Sequence, residues 1–413
     1  MSKPLPVESR VNPGYRWVVL AVSVVAQATF LGAVFQGLPV LGPVLRSAYG
    51  LSLGQLGLVL SSVAVGILIT LLAWGAAADR FGERRVMVLG LLGAAVALLV
   101  AARTSDLFGL VAALLVAGAC GTSVNAAGGR AIMGWFAFRE RGLAMGIRQT
   151  ALQLVAAAAA VSLPWLSAVG GVDSALLALA ACCALAAASA ALWVREPPIG
   201  GAGRAAEGAD KSPTRDPKIW RVAAAGALLA VPQFGVAAFF VIFLHEERGY
   251  AVGTAAGFFA AVQLLGGAAR ILVGRWSDSR RSRIGPLRKL GLATTLGLMG
   301  TSALIGAPDP VLLPVLLATS ILAASWNGLA NTVAAELAAP GRSGTAIGFY
   351  STVMGVGASI APPAFASIVT ATSSWATGFV AVAAGPLLAV VVLAPLARRE
   401  LAAAPSEPCK LRA

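Results

Sequence analysis

Apolar positions in this chain come as long unbroken runs, with neither the alternation of a half-buried strand nor the three-or-four spacing of a surface helix. Twelve such runs occupy residues 17–41, 54–78, 86–102, 107–129, 142–168, 175–194, 219–244, 251–274, 287–306, 311–335, 344–369 and 376–396, with ends placed to about ±3 residues. Each is long enough to cross a hydrocarbon layer of ~30 Å as a helix. Inside such a layer every backbone N–H and C=O must find its partner within the chain, which predicts helices rather than open strands. Between the sixth and seventh runs lies a polar stretch, Arg195 to Lys218, with Pro197, Pro198, Gly200, Gly201 and mixed charges, the composition of a linker. The pattern predicts an all-α membrane protein of twelve transmembrane helices. Residues 1–194 form one six-helix bundle, 195–218 a cytoplasmic linker, and 219–413 a second six-helix bundle with a cytoplasmic tail. The first run outlasts a signal-peptide core of roughly 7–15 residues and lacks a small-x-small cleavage site, so it reads as a retained helix.

Composition agrees with this picture. Of 413 residues, 58% are hydrophobic and 12% charged, against about 25% charged in a soluble domain. A soluble enzyme, a disulfide scaffold and a disordered chain are excluded. The net charge of +14 would suggest nucleic-acid binding in a soluble protein. Here the basic residues cluster between runs: with both termini inside, cytoplasmic segments hold 26 Lys and Arg and outer loops 3. That asymmetry is a topology signal, and it predicts a multi-pass inner-membrane protein with both ends cytoplasmic and no nucleic-acid partner. Four scattered cysteines and one histidine offer no metal site, and no lysine follows a glycine as a phosphate loop requires. The sequence calls for no cofactor and no enzymatic chemistry. A monomer is expected.

Charged residues within the runs carry the functional signal. No carboxylate falls mid-run; Glu336, at the inner end of the tenth, is the borderline case and the proton-coupling candidate. Two arginines do fall inside: Arg148, about 9 Å deep in the fifth run, and Arg270, about 12 Å deep in the eighth. Each costs at least about 2.5–3.5 kcal/mol unless it faces water, a partner or a ligand. With no acid to neutralise them they predict a positive cavity, and the guanidinium fork suits a carboxylate. Two other fates are open: snorkelling to the headgroups, or bonding to exposed helix carbonyls. Gln263, Gly267, Arg270 and Gly274 follow helical spacing and form one polar, small-residue stripe. Trp326, Asn327 and Asn331 in run ten, Gln27, Phe30 and Gln36 in run one, Asn125 in run four, Gln233 and Phe234 in run seven, and Tyr350 in run eleven lie at similar depth and complete the candidate cavity. Arg130 and Arg141, at the inner ends of runs four and five, read as gate charges.

The halves repeat. Gly75, Asp79, Arg80, Gly82, Arg84 and Arg85 follow run two; Gly274, Asp278, Arg280 and Arg281 follow run eight, the two aspartates 199 residues apart. This pattern resembles the signature of the major facilitator superfamily. The resemblance spans the whole chain and implies two six-helix bundles related by a pseudo-twofold axis around a central cavity, with alternating access. It implies a latch role for Asp79 and Asp278, with Gly75 and Gly274 allowing close helix approach. The Arg270–Asp278 segment is similar to that of monocarboxylate and oxalate/formate transporters, where an arginine binds the substrate carboxylate. The stretch from Trp135 to Thr150 is similar to a bacterial subgroup related to nitrate and cyanate porters. One departure is Gly266, where animal monocarboxylate carriers hold an aspartate. The implied function is secondary transport of a small anion, a monocarboxylate or similar organic acid, by proton symport or exchange. The alternatives are proton-coupled export of drugs or cations, which lacks a midspan acid, and a non-transporting sensor.

Overall fold

In the computed structural model the described residues are 14–136, 141–195, 215–280, 282–338 and 343–403, and no strand occurs among them. The helices are α1 (Tyr15–Gln27), α2 (Gly42–Tyr49), α3 (Leu53–Phe81), α4 (Glu83–Ala101), α5 (Leu107–Gly121), α6 (Ser123–Trp135) and α7 (Arg141–Trp193). They continue with α8 (Pro217–Ile242), α9 (Val252–Ser279), α10 (Ile284–Ala303), α11 (Asp309–Ser325), α12 (Asn327–Leu337), α13 (Ser343–Thr372) and α14 (Trp375–Ala403). Two wider π-helical stretches, Ala28–Gln36 and Phe243–Glu247, extend α1 and α8.

Among the described residues ten helical runs are long and apolar enough to cross a membrane. The count differs from the twelve expected for two physical reasons. The expected spans at 142–168 and 175–194 lie in one run, α7, whose helical path is interrupted only at Gly170 and Gly171. The span expected at 287–306 is α10, whose second turn carries Arg288 and Lys289 and which is not among the ten.

By internal contacts the chain forms two compact units, Met1–Arg204 with Ala237–Leu264, and Ala205–Val236 with Leu265–Ala413. In the first, α4 packs on α5 and α7, α3 on α5, and α1 on α6 and α7. In the second, α10 packs on α11 and α14, and α13 on α12 and α14. Local chemistry sets several ends. The Ser52 hydroxyl accepts from the Gln55 N–H while the Gln55 side chain accepts from the Ser52 N–H, a reciprocal cap that starts α3. Asp106 caps α5 through the Gly109 N–H at 2.8 Å. Gly82 ends α3 and begins α4 at φ 84°, a conformation an L side chain resists.

Candidate functional site

Arg148 in the first unit and Arg270 in the second each bond to backbone carbonyls beside a helix interruption. In the first unit the fourth run is broken at Thr122, between α5 and α6. Arg148, on α7, is 2% exposed and donates from Nη2 to the carbonyls of Val124 at 2.8 Å and Asn125 at 3.4 Å. Gly128 leaves the room for this: a Cβ there would stand 2.8 Å from Nη2. The Arg148 Nε–H is buried with no hydrogen-bond partner. Snorkelling is therefore not the state of this side chain; carbonyl bonding is. The carbonyls are neutral, so the guanidinium keeps its charge inside the unit.

In the second unit the tenth run is broken at Trp326, between α11 and α12. Arg270, half-buried on α9, donates from Nε to the Ala324 carbonyl at 2.8 Å, two residues before the break. Trp326 and Tyr350 are both buried in one apolar cluster with Leu229, Leu329, Val333 and Leu393. The indole N–H of Trp326 and the hydroxyl of Tyr350 are buried without hydrogen-bond partners, and Tyr350 lies within electrostatic reach of Arg270. The Tyr350 ring fits against Gly226 of α8, where a Cβ would sit 2.6 Å from Cε2. Asn331 Nδ2 donates to Asn327 Oδ1 at 2.6 Å, and Asn327 Nδ2 lies 3.6 Å from the Met354 sulfur. Thus Arg270, Trp326 and Tyr350 belong to one unit, where the Trp326 N–H and the Tyr350 hydroxyl are left as donors.

The other expected lining residues have contacts of their own. Gln27 is buried and donates to Gln149 Oε1 at 3.2 Å, with its own Oε1 unpartnered. Phe30 is fully buried with its ring edge against Gly121, so in this structure it is a packing residue. Asn125 serves Arg148 through its backbone carbonyl. Gln263, on α9 with Gly267, Arg270 and Gly274, donates to Gln36 at 2.9 Å. Gln233, in the second unit, has a buried, unpartnered Oε1.

Among the described residues no atom lies within 4 Å of where a Cβ would stand on Gly75 or Gly274. Close approach occurs deeper in the first unit, where a Cβ on Gly66 of α3 would lie 2.6 Å from the Ala119 nitrogen of α5. The side chains of Asp79 and Arg141 lie outside the described residues. Arg80 stacks over Phe81 at 5.3 Å, Arg84 is exposed, and Gly82 makes the turn. Asp278 pairs with Arg283, a residue of the following loop. Arg283 also holds Glu336 at 3.1 Å, so the three form an ion-pair chain with an exposed acid at each end. The hydrogen bond to Asp278 is the main reason the Arg283 pKa lies above its ordinary value.

Sequence reasoning missed two acids. Glu83, placed there in a loop, opens α4, is 1% exposed, and accepts from Arg130 Nε at 2.8 Å. Its signal was its place in the signature, one residue past Gly82. Glu400, near the end of α14, accepts from the Ser282 hydroxyl at 2.8 Å and from the backbone N–H groups of Ile284 and Gly285, where α10 begins. No sequence spacing announces that contact.

A family model for the Major Facilitator Superfamily matches residues 20–362. The chain is 38% identical over 390 residues to an uncharacterised MFS-type transporter of Mycobacterium tuberculosis, covering 92% of this chain and 86% of that protein. Its fold is similar to that of a bacterial homologue of the human lysosomal transporter Spinster in an inward-facing, unoccupied conformation (TM-score 0.81, 15% identity, 95% of this chain and 98% of that one). It is also similar in fold to the human organic anion transporter TETRAN (TM-score 0.70, 19% identity, 92% of this chain and 99% of that one).

Proposed function

The chain belongs to the major facilitator superfamily, and from that premise we propose that it carries a small anion, a monocarboxylate or similar organic acid, across the bacterial inner membrane. Membership makes it a multi-pass membrane transport protein and not an enzyme. The anion reading is supported above all by Arg148, a 2% exposed cation whose hydrogen bonds go to uncharged carbonyls. Burying such a charge costs several kcal/mol, which a bound anion offsets. Arg270 supplies the corresponding charge in the second unit, with Tyr350 and Trp326 as neighbouring donors. Export of cations is disfavoured by the acids: Glu83 is the buried carboxylate among the described residues, and Arg130 holds it.

In this reading twelve spans form two six-helix halves joined by the 195–218 linker, with both termini cytoplasmic and the protein acting as a monomer. Asp278 and its repeat, Asp79, act in the conformational switch. Glu336 is engaged by Arg283, so the proton is carried on the substrate acid, or one anion is exchanged for another. The test is a melting-temperature screen of purified protein against monocarboxylates, dicarboxylates, nitrate and cyanate, followed by liposome flux with and without a pH gradient. A ligand that binds only the folded state raises the melting temperature. Stabilisation by a carboxylate with matching flux supports the reading; stabilisation and flux confined to organic cations overturns it.

A further inference from the structure

In the second unit α14 is wedged between α8 and α10. A Cβ on Gly385 of α14 would stand 2.5 Å from the Leu228 carbonyl oxygen of α8, and one on Gly291 of α10 would stand 3.2 Å from the Pro386 carbonyl oxygen of α14. Inside α14, Pro395 has no N–H to give the Val391 carbonyl, and its ring loosens that turn. The carbonyls on either side of Val391 take arginines as donors. Arg288 of α10 donates from Nε to the Val390 carbonyl at 3.1 Å, and Arg221 of α8 donates from Nη1 to the Val392 carbonyl at 3.4 Å. By helical geometry those two carbonyls lie about 100° to either side of Val391. Val391 itself is 62% exposed, and Leu387 and Leu388, one turn earlier, are 47% and 51% exposed. One apolar strip is thus bordered by a guanidinium group on each flank.

Each anchor uses one N–H group. The remaining donors of Arg221 and Arg288 have no partner among the described residues. The described acids at this end of the unit are committed: Asp278 and Glu336 to Arg283, Asp216 to the Lys218 N–H, and Glu400 to the start of α10. Both flanks therefore carry positive charge with no acid paired to it among the described residues. Free phosphate gains nothing from the apolar strip between them. A phospholipid does, since its acyl chains lie along the strip while its phosphate oxygens take the guanidinium donors. We propose that Arg221 and Arg288, anchored on either side of the exposed face of α14, bind the phosphate of an anionic phospholipid. The site does not rest on the transport reading and survives that reading's failure.

The test is native mass spectrometry of the full chain released from nanodiscs of phosphatidylcholine with phosphatidylglycerol. Wild type is compared with Arg221→Gln, with Arg288→Gln and, as a control, with Arg275→Gln, which alters an exposed arginine of α9, a helix with no part in the strip. Retention of phosphatidylglycerol is expected to fall about fivefold in each of the first two variants, with phosphatidylcholine retention unchanged and Arg275→Gln matching wild type. Arg221 is exposed and its bond to α14 is the longer of the two, so Arg221→Gln keeps the fold even where Arg288→Gln does not. A melting curve in detergent equal to that of wild type verifies this. Equal phosphatidylglycerol retention by wild type and Arg221→Gln overturns the proposal. An equal loss in Arg275→Gln overturns it as well, since the attraction would then belong to a diffuse basic surface. So does displacement of the lipid by millimolar inorganic phosphate, which would make this an ordinary phosphate site.

Discussion

Arg130 donates from Nε to Glu83 Oε1 at 2.8 Å, tying α6 to the first turn of α4, and the second unit makes the same tie with the signs exchanged. There Arg283, just before α10, holds Glu336 of α12 at 3.1 Å. The two ties differ in burial. Glu83 is 1% exposed, whereas the Glu336 side chain is 49% exposed. Removing one partner of a buried pair strands a charge and costs about 3–5 kcal/mol; an exposed pair contributes about 0–1 kcal/mol. Arg130→Ala, which takes this partner from the buried Glu83 carboxylate, is therefore expected to lower the melting temperature of detergent-purified protein sharply and Glu336→Ala barely. Equal shifts would mean that burial does not govern these ties.

Two adjacent glycines separate the positioning of Arg148 from general packing. A Cβ on Gly128 would press on Nη2 at 2.8 Å, whereas one on Gly129 would meet Nη1 at an ordinary 3.7 Å. Gly128→Ala is expected to displace the guanidinium from the Val124 carbonyl and weaken anion binding about tenfold or more, a loss of roughly the size of one charge-assisted hydrogen bond. Gly129→Ala should bind as wild type does. Titration of both variants with the best anion from the screen checks this.

Arg270→Gln removes the second unit's intramembrane charge while keeping a donor for the Ala324 carbonyl. The variant is expected to fold, by an unchanged melting temperature, and to lose anion flux. Arg270→Lys should recover only part of it, since an ammonium lacks the two-pronged fork. Full flux in Arg270→Gln would remove this residue from the substrate path.

Arg46 of α2 pairs with Glu246, in the π-helical stretch after α8, and Arg46 also donates to the Leu51 carbonyl at 3.1 Å. Both charged side chains are about one-third exposed, which limits the tie to about 1 kcal/mol or less. Glu246→Gln should leave global stability unchanged and speed amide hydrogen exchange in residues 243–250. Exchange as slow as in wild type would show that backbone contacts alone hold the segment.

Much of the fold could be read from the chain because lipid imposes one severe rule: long apolar runs must be helices. The runs therefore locate α3, α9 or α14 well. What escaped was geometry that hydropathy does not encode. The break at Thr122 sits in a run that is apolar on both sides, and the π-helical stretch from Ala28 to Gln36 has the composition of an ordinary helix. Arg148 and Arg270 stood out because a charge in such a run is costly, but that cost does not say which acceptors receive them. Glu83 looked like a loop acid because its partner, Arg130, lies far along the chain.

Within α7 the helical path is lost at only two residues, Gly170 and Gly171, the second at φ 72° and ψ −177°, a conformation essentially confined to glycine. Ser174 staples that corner, donating to the Leu166 carbonyl at 2.6 Å and the Gly171 carbonyl at 2.8 Å. So short a joint has no slack. The arm bearing Arg148 and the arm ending at Trp193 are therefore tied end to end, and a substitution at Gly171, in a conformation that no L side chain tolerates, would misplace both.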